Sequence, residues 1–192
     1  MNSNRKLACF DLEFRTIDDE EPVGLCGSGI VDLIAFMVNS GKLTGIGRFS
    51  PEIPQSGLVL FYTGQQEMVL TKKDVDIFQR AKAAIFAGVQ VLLKMARLPL
   101  GQLRRVYVGG AFGHFLNIEN ARSIGLLPDL DSNDFELCGN TALGGCEELL
   151  MSKDPGKTLN ELRSMARLIN LAQCAEFEDF FLEGLYLGRW SG

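Results

Sequence analysis

VYVGGAFGHF, residues 106–115, decides how the rest of the chain is read. Val106-Tyr107-Val108 has the β-branched and aromatic character of a strand, and it runs into Gly109-Gly110 with a third glycine at Gly113. Glycine costs backbone entropy. Three of them within five residues after a strand mark either a tight turn or a surface that something approaches closely.

Upstream, residues 70–93 (LTKKDVDIFQRAKAAIFAGVQVLL) read as the longest helix. Thr71 with Asp74 three residues on forms a capping-box pattern, and Val75, Phe78, Ala81, Ile85, Val89 and Leu92 keep helical spacing. That helix should stop near Leu98-Pro99. Downstream, the pattern predicts a helix over 118–124, a turn at 125–128 and a short strand near 135–137. A helix over 140–151 follows, with Asn140 a good N-cap, and another with Pro155 near its start runs through 154–172.

The N-terminal side is less regular. Residues 1–16, ending LACFDLEFRT, suggest a strand, and acidic IDDEEPVG is a solvated loop. A glycine-serine turn leads into a helix over 29–39, with Gly41 near its C-cap. Residues 42–57 lack a period and read as a surface loop, and LVLFYTGQQEMVL, 58–70, as a hairpin. The tail AEFEDFFLEGLYLGRW, 175–190, reads as a short strand and a final amphipathic helix. Its Phe177, Phe180, Phe181, Tyr186 and Trp190 fit either core packing or a partner surface.

Helices outnumber strands, and the later half alternates the two, which favours an α/β fold with a small mixed sheet covered by several helices. At 192 residues, 46% hydrophobic and 22% charged, the composition is that of a globular protein with one substantial core. The net charge of -5 and the lack of a basic stripe argue against nucleic acid as a partner. No apolar run reaches the ~20 residues of a membrane helix, and no signal-peptide pattern opens the chain, so a cytoplasmic location is expected. The five cysteines, Cys9, Cys26, Cys138, Cys146 and Cys174, are widely spaced without a C-x-x-C pair and read as reduced thiols.

Three glycine turns stand at helix starts: CGSG at 26–29, GGAFG at 109–113 and CGN at 138–140. Helix N-termini offer free N–H groups and partial positive charge, and glycine lets an anion or flat ring come close. None is a P-loop or a dinucleotide fingerprint, and each could equally be a tight strand-to-helix turn. The single histidine, His114, fits a local hydrogen-bonding role better than catalysis; Asp32, Glu119, Asp129 and Asp131 could orient water or magnesium but equally serve as capping and solubility carboxylates, and Asp32 is the one to watch.

The order of elements resembles the adenosine-binding part of the actin-like ATPase superfamily of sugar kinases, actin and heat-shock chaperones. FQRAKAAI, 78–85, followed by VYVGG carries that resemblance. GLCGSGIVDLIA (24–35), the long helix, VYVGGAFGHFLNIENARSIGLLPDL (106–130) and GNTALGGCEELL (139–150) narrow it to the C-terminal part of the ATP-dependent reductive activators of corrinoid proteins. The resemblance implies an actin-like (ribonuclease H-like) ATPase lobe, a single domain over residues 1–192. The activators couple ATP hydrolysis to electron transfer from an iron–sulfur cluster to cobalt, restoring the cobalt(I) state for methyl transfer.

By that resemblance Gly109 and Gly110, with Ala111, Phe112 and Gly113, meet adenosine. Gln79 and Lys82 meet the ribose or ring edge, and Gly27, Ser28 and Gly29 sit near the phosphates. Gln79 replaces the acidic residue of the chaperones, and Lys82 could as well be a solvated helix residue. ATP and magnesium are the implied cofactors, a corrinoid protein the implied partner, and a homodimer is possible.

Two features of a complete activator are missing. Asp11 in CFDLEF is not followed by the glycine of a first phosphate loop, and no cysteine cluster could hold iron and sulfur. A fragment of a longer activator is therefore expected, with the redox cluster outside this chain. The alternatives are an ATPase-inactive docking or dimerisation module, or the lobe of an actin-like small-molecule kinase.

Overall fold

Two antiparallel ladders, one parallel strand pair and six helices make up the computed structural model, which describes residues 5–6, 13–64, 66–110 and 115–190. β1 (Arg5–Lys6) pairs antiparallel with β2 (Glu13–Phe14), so the strand expected over the opening residues is two short pieces where it is described. β3 (Leu58–Thr63) and β4 (Gln66–Leu70) form the expected hairpin, with a register shift between Val59 and Phe61. β5 (Val106–Gly109) and β6 (Phe135–Gly139) run parallel, as the alternation of strands and helices requires.

The core lies where α1 (Gly27–Asn39), the β3–β4 hairpin and α3 (Ile118–Ser123) meet. α1 begins two residues earlier than its pattern predicts because Cys26 caps it, its thiol accepting from the Gly29 N–H at 3.3 Å. Its wholly buried Ile34, Ala35 and Met37 meet Leu58, Leu60 and Phe61 of β3 and Ala121 and Ile124 from the α3 region.

α2 (Lys72–Ala96) has its full capping box: Asp74 N–H donates to the Thr71 hydroxyl, and the Asp74 carboxylate accepts from Thr71 N–H at 2.9 Å. Arg97 in the left-handed region, φ 52°, closes it before Pro99. Its buried face differs from the one the apolar spacing marks. Val75, Gln79, Lys82, Ala83, Phe86, Ala87 and Val91 point inward, while Ile85 and Leu92 stand about half exposed. The reason is the partner: α6 (Phe177–Glu183) and residues 184–190 pack on the Gln79–Lys82–Phe86 side, making the two polar residues interior.

The tail has no strand among its described residues. Leu171–Gln173 is a single 3-10 turn, α6 follows, and residues 184–190 return over α2 as an irregular segment. α4 (Thr141–Met151) and α5 (Pro155–Met165) form a hairpin in which no residue is buried, and α5 ends seven residues before the expected 172.

Because Phe86 is 4% exposed and its neighbour Ile85 50%, the two respond differently to truncation. Urea unfolding should show Phe86→Ala losing about 3 kcal/mol and Ile85→Ala about 0.5 or less. The opposite order would restore the face marked by apolar spacing.

Candidate functional site

Gln79 and Lys82 lie one turn apart on α2 and are 6% and 2% exposed. Neither is a solvated helix residue, which disposes of that alternative for Lys82. Gln79 donates through Nε2 to the Leu185 carbonyl at 2.8 Å, and Lys82 donates through Nζ to the Tyr186 carbonyl at 2.5 Å. Leu187 N–H donates to the Gly45 carbonyl at 2.7 Å, and the buried Trp190 indole donates to the Gly125 carbonyl at 2.9 Å. Residues 185–190 thus form a strap with a polar anchor at most positions and two apolar ones: Leu187 enters the core, and Trp190 meets the Phe86 ring edge-on at 4.7 Å.

Glycines let the strap fit. A Cβ at Gly47 would collide with Gln79, one at Gly45 with the Tyr186 ring, and one at Gly125 with the Gly188 carbonyl. Gly125 also holds φ +71°. At the strap's outer end Arg189 pairs with Asp129 at 2.6 Å and with Glu119, and Arg122 joins the same two carboxylates, both at 2.8 Å. Burial works to raise Asp129, but the two guanidiniums overcome it and hold the carboxyl below its ordinary range.

Burial, with no anion against the ammonium to offset it, pushes Lys82 down to about 8. The amine still donates to Tyr186 when neutral, so the strap contact survives loss of the proton.

A second candidate region lies at the C-terminal ends of β5 and β6. Gly109 opposes Gly139 across the parallel pair, and Gly110 N–H donates to the Gly139 carbonyl at 2.6 Å. A Cβ on Gly109 would strike the Thr141 side chain, while Gly110, at φ +95°, faces open space among the described residues, as do Gly144 and Gly145 on α4. Asn140 caps α4 through Leu143 N–H at 3.1 Å, as its type predicts. The ends of parallel strands beside a helix N-terminus are where α/β sheets take ligands.

The third turn is the start of α1. Ser28 hydroxyl lies 3.3 Å from the Cys26 thiol, and that contact, followed by the Gly29 N–H, holds the thiol below its ordinary value. Asp32, one turn on, accepts from the Asn120 amide at 2.7 Å, so it braces α1 against α3. Ala111, Phe112, Gly113 and His114 lie outside the described residues, as does Cys9; Cys26, Cys138, Cys146 and Cys174 are free thiols.

Gln79 and Lys82 thus come together with the strap, and Gly109 and Gly110 come together with Thr141 and Gly139. α3 follows the GGAFG turn, and two residues past its end lies Gly125, where an added Cβ would stand 3.2 Å from Lys82 Nζ. Gly45 and Gly47 carry the strap and were not singled out by the sequence, while Gly125 read only as part of a turn and Tyr186 only as one of the tail aromatics. The Gly45-x-Gly47 spacing is the one local sign of a close approach in a loop that otherwise reads as solvated.

This geometry, parallel strands ending in paired glycines beside a helix start, belongs to an α/β lobe of the actin-like ATPase class. A solved structure described as a reductive activator for corrinoid, iron-sulfur protein superposes with a TM-score of 0.82 at 34% identity, over 90% of this chain and 30% of that one. The family model described as the C-terminal domain of RACo, the ASKHA domain, matches residues 3–190, and the chain belongs to that family.

Among curated relatives, the corrinoid activation enzyme RamQ of Eubacterium limosum is 28% identical over 197 residues, covering 92% of this chain and 33% of RamQ. The [Co(II) methylated amine-specific corrinoid protein] reductase of Methanosarcina barkeri is 28% identical over 167 residues, 84% of this chain and 29% of that protein. The chain spans about a third of the length of these relatives.

Lys82 ties stability to pH. Its folded value of about 8 lies below the ordinary 10.5, so between those values the unfolded chain binds more protons and stability rises with pH. Urea midpoints at pH 7.5 and pH 10 should show a gain on the order of 1–3 kcal/mol that Lys82→Met removes. An equal pH slope in the variant would place the titration elsewhere.

Proposed function

We propose that this chain is the distal, nucleotide-binding lobe of an ATP-dependent reductive activator, which returns an oxidised corrinoid protein to the cobalt(I) state in the cytoplasm. The observation that carries the reading is the parallel β5–β6 pair ending in Gly109-Gly110 and Gly139 beside the α4 N-terminus, with open space above Gly110, in a member of this family. Residues of that kind suit a nucleotide: bare backbone lets a flat ring or phosphate approach, and the helix start favours its negative charge. Ala111, Phe112 and Gly113 complete the turn in this reading, and Gly27, Ser28 and Gly29 lie toward the phosphates.

Hydrolysis needs metal and phosphate positioning from both sides of a closed cleft. In this reading magnesium and the iron–sulfur cluster are held by residues other than those of this lobe. Among the described residues no group of three His, Cys, Asp or Glu side chains could hold a metal ion, and no helix is long and apolar enough to cross a membrane.

A second reading, a docking or dimerisation module, is favoured by the α4–α5 hairpin. Leu150, Met151 and Met165 there, with Leu168 just beyond, are between 73% and 97% exposed, an apolar surface of the kind that partners cover. In sedimentation equilibrium, self-association that Leu150→Glu with Leu168→Glu abolishes would support this reading, and a monomer at all concentrations would end its dimer form.

Equilibrium dialysis with labelled ATP and magnesium tests the main reading. The chain should bind ATP weakly, Gly110→Val should lower affinity at least about tenfold at a temperature where the variant, strained at φ +95°, is still folded, and phosphate release by the chain alone should stay at background. Unchanged binding in Gly110→Val would remove the glycine turn from the site, and turnover by this chain alone that Gly110→Val abolishes would show that it needs no second half.

A further inference from the structure

We infer that Tyr186 is a stacking wall for a planar heteroaromatic ring, a nucleobase under the nucleotide reading on which this rests, and that Gln79 and Lys82 are positioning residues acting through it. The backbone around Tyr186 is fixed at three successive residues: Leu185 by Gln79, Tyr186 by Lys82, and Leu187 by Gly45. Its ring is seated against Gly45 and Gly188, at either of which a Cβ would intrude on it. Yet Tyr186 is 58% exposed, so this fixation does not serve burial of the ring.

The exposed side of Tyr186 borders two cavities. One, about 730 Å3, is lined by Ile46, Asp76, Gln79, Arg80, Leu185 and Tyr186 among others; the smaller, about 250 Å3, lies toward Lys82, Phe86 and Trp190. The larger has the size of a small-molecule site, with an aromatic and an aliphatic wall and a rim of charged groups able to meet hydroxyls. An aromatic ring already held in place loses little freedom when a base stacks on it, which is the preorganisation that favours binding.

Gln79 and Lys82, by contrast, have almost no surface to offer a ligand. Each gives an N–H to the strap, so their substitution reaches a ring on Tyr186 chiefly by moving Tyr186.

Calorimetric titration of the chain and its variants with ATP and with inorganic triphosphate tests this, alongside amide exchange of residues 185–187 without nucleotide. Tyr186→Leu should weaken ATP about tenfold or more and leave triphosphate unchanged, and Tyr186→Phe should stay within about twofold of the parent. Gln79→Ala and Lys82→Met should raise exchange at 185–187 and weaken ATP but not triphosphate. Emission from Trp190, the single tryptophan, reports whether each variant keeps the strap seated.

ATP affinity unchanged in Tyr186→Leu, with the parent binding normally, overturns the stacking wall alone. Weaker ATP in Lys82→Met or Gln79→Ala with exchange at 185–187 unmoved overturns the positioning role. A parent chain that binds neither ATP nor triphosphate overturns the nucleotide reading, and this inference with it.

Discussion

A lysine and a glutamine inside the packed face of a helix must find partners, and most of what is particular to this molecule follows from how these two are satisfied. A buried polar group without a hydrogen bond costs about 1–3 kcal/mol, and an ammonium more. Gln79 and Lys82 meet that demand with two adjacent carbonyls, those of Leu185 and Tyr186, and a run of consecutive carbonyls is available only from a segment laid along the helix. The C-terminal residues are therefore part of the core, and Leu187 and Trp190 complete it from the apolar side. The glycines of the neighbouring loops follow from the same demand, because Gly45, Gly47 and Gly125 stand where any side chain would push the strap or its anchors away.

The two halves of the molecule contrast in how they are closed. Around α1, the hairpin and α2 the side chains are interior. From β6 through α5 they are not: the parallel pair leaves Tyr107 and Leu137 open, and neither α4 nor α5 buries a residue. Parallel strands ordinarily need cover on both faces, and among the described residues this pair has little.

Much of the framework was legible. The capping box of α2, the Asn140 cap, the β3–β4 hairpin and the parallel order of β5 and β6 all rest on local chemistry that a sequence displays: a cap needs its oxygen, a turn its glycine. The buried face of α2 was not legible, because apolar spacing favoured Ile85 and Leu92, and only the distant strap makes Gln79 and Lys82 interior. The tail misled for a related reason. Its pattern suggested a short strand, but Leu185, Tyr186, Leu187, Arg189 and Trp190 are held by partners 60 to 142 residues away in the chain, and such pairings leave no local period.

The position of Lys82 shows how a shared motif can keep its residue and change its task. Against adenosine, a lysine must present its ammonium to the cleft; here the same helix turn aims it at the Tyr186 carbonyl, where burial alone lowers its proton affinity. Gln79 makes the same choice chemically, since an amide can donate to a carbonyl and the carboxylate of the chaperones cannot. A carboxylate at position 79 would face the lone pairs of the Leu185 carbonyl and loosen the strap. Under the stacking proposal the contact with a ring falls to Tyr186, the residue that the helix holds.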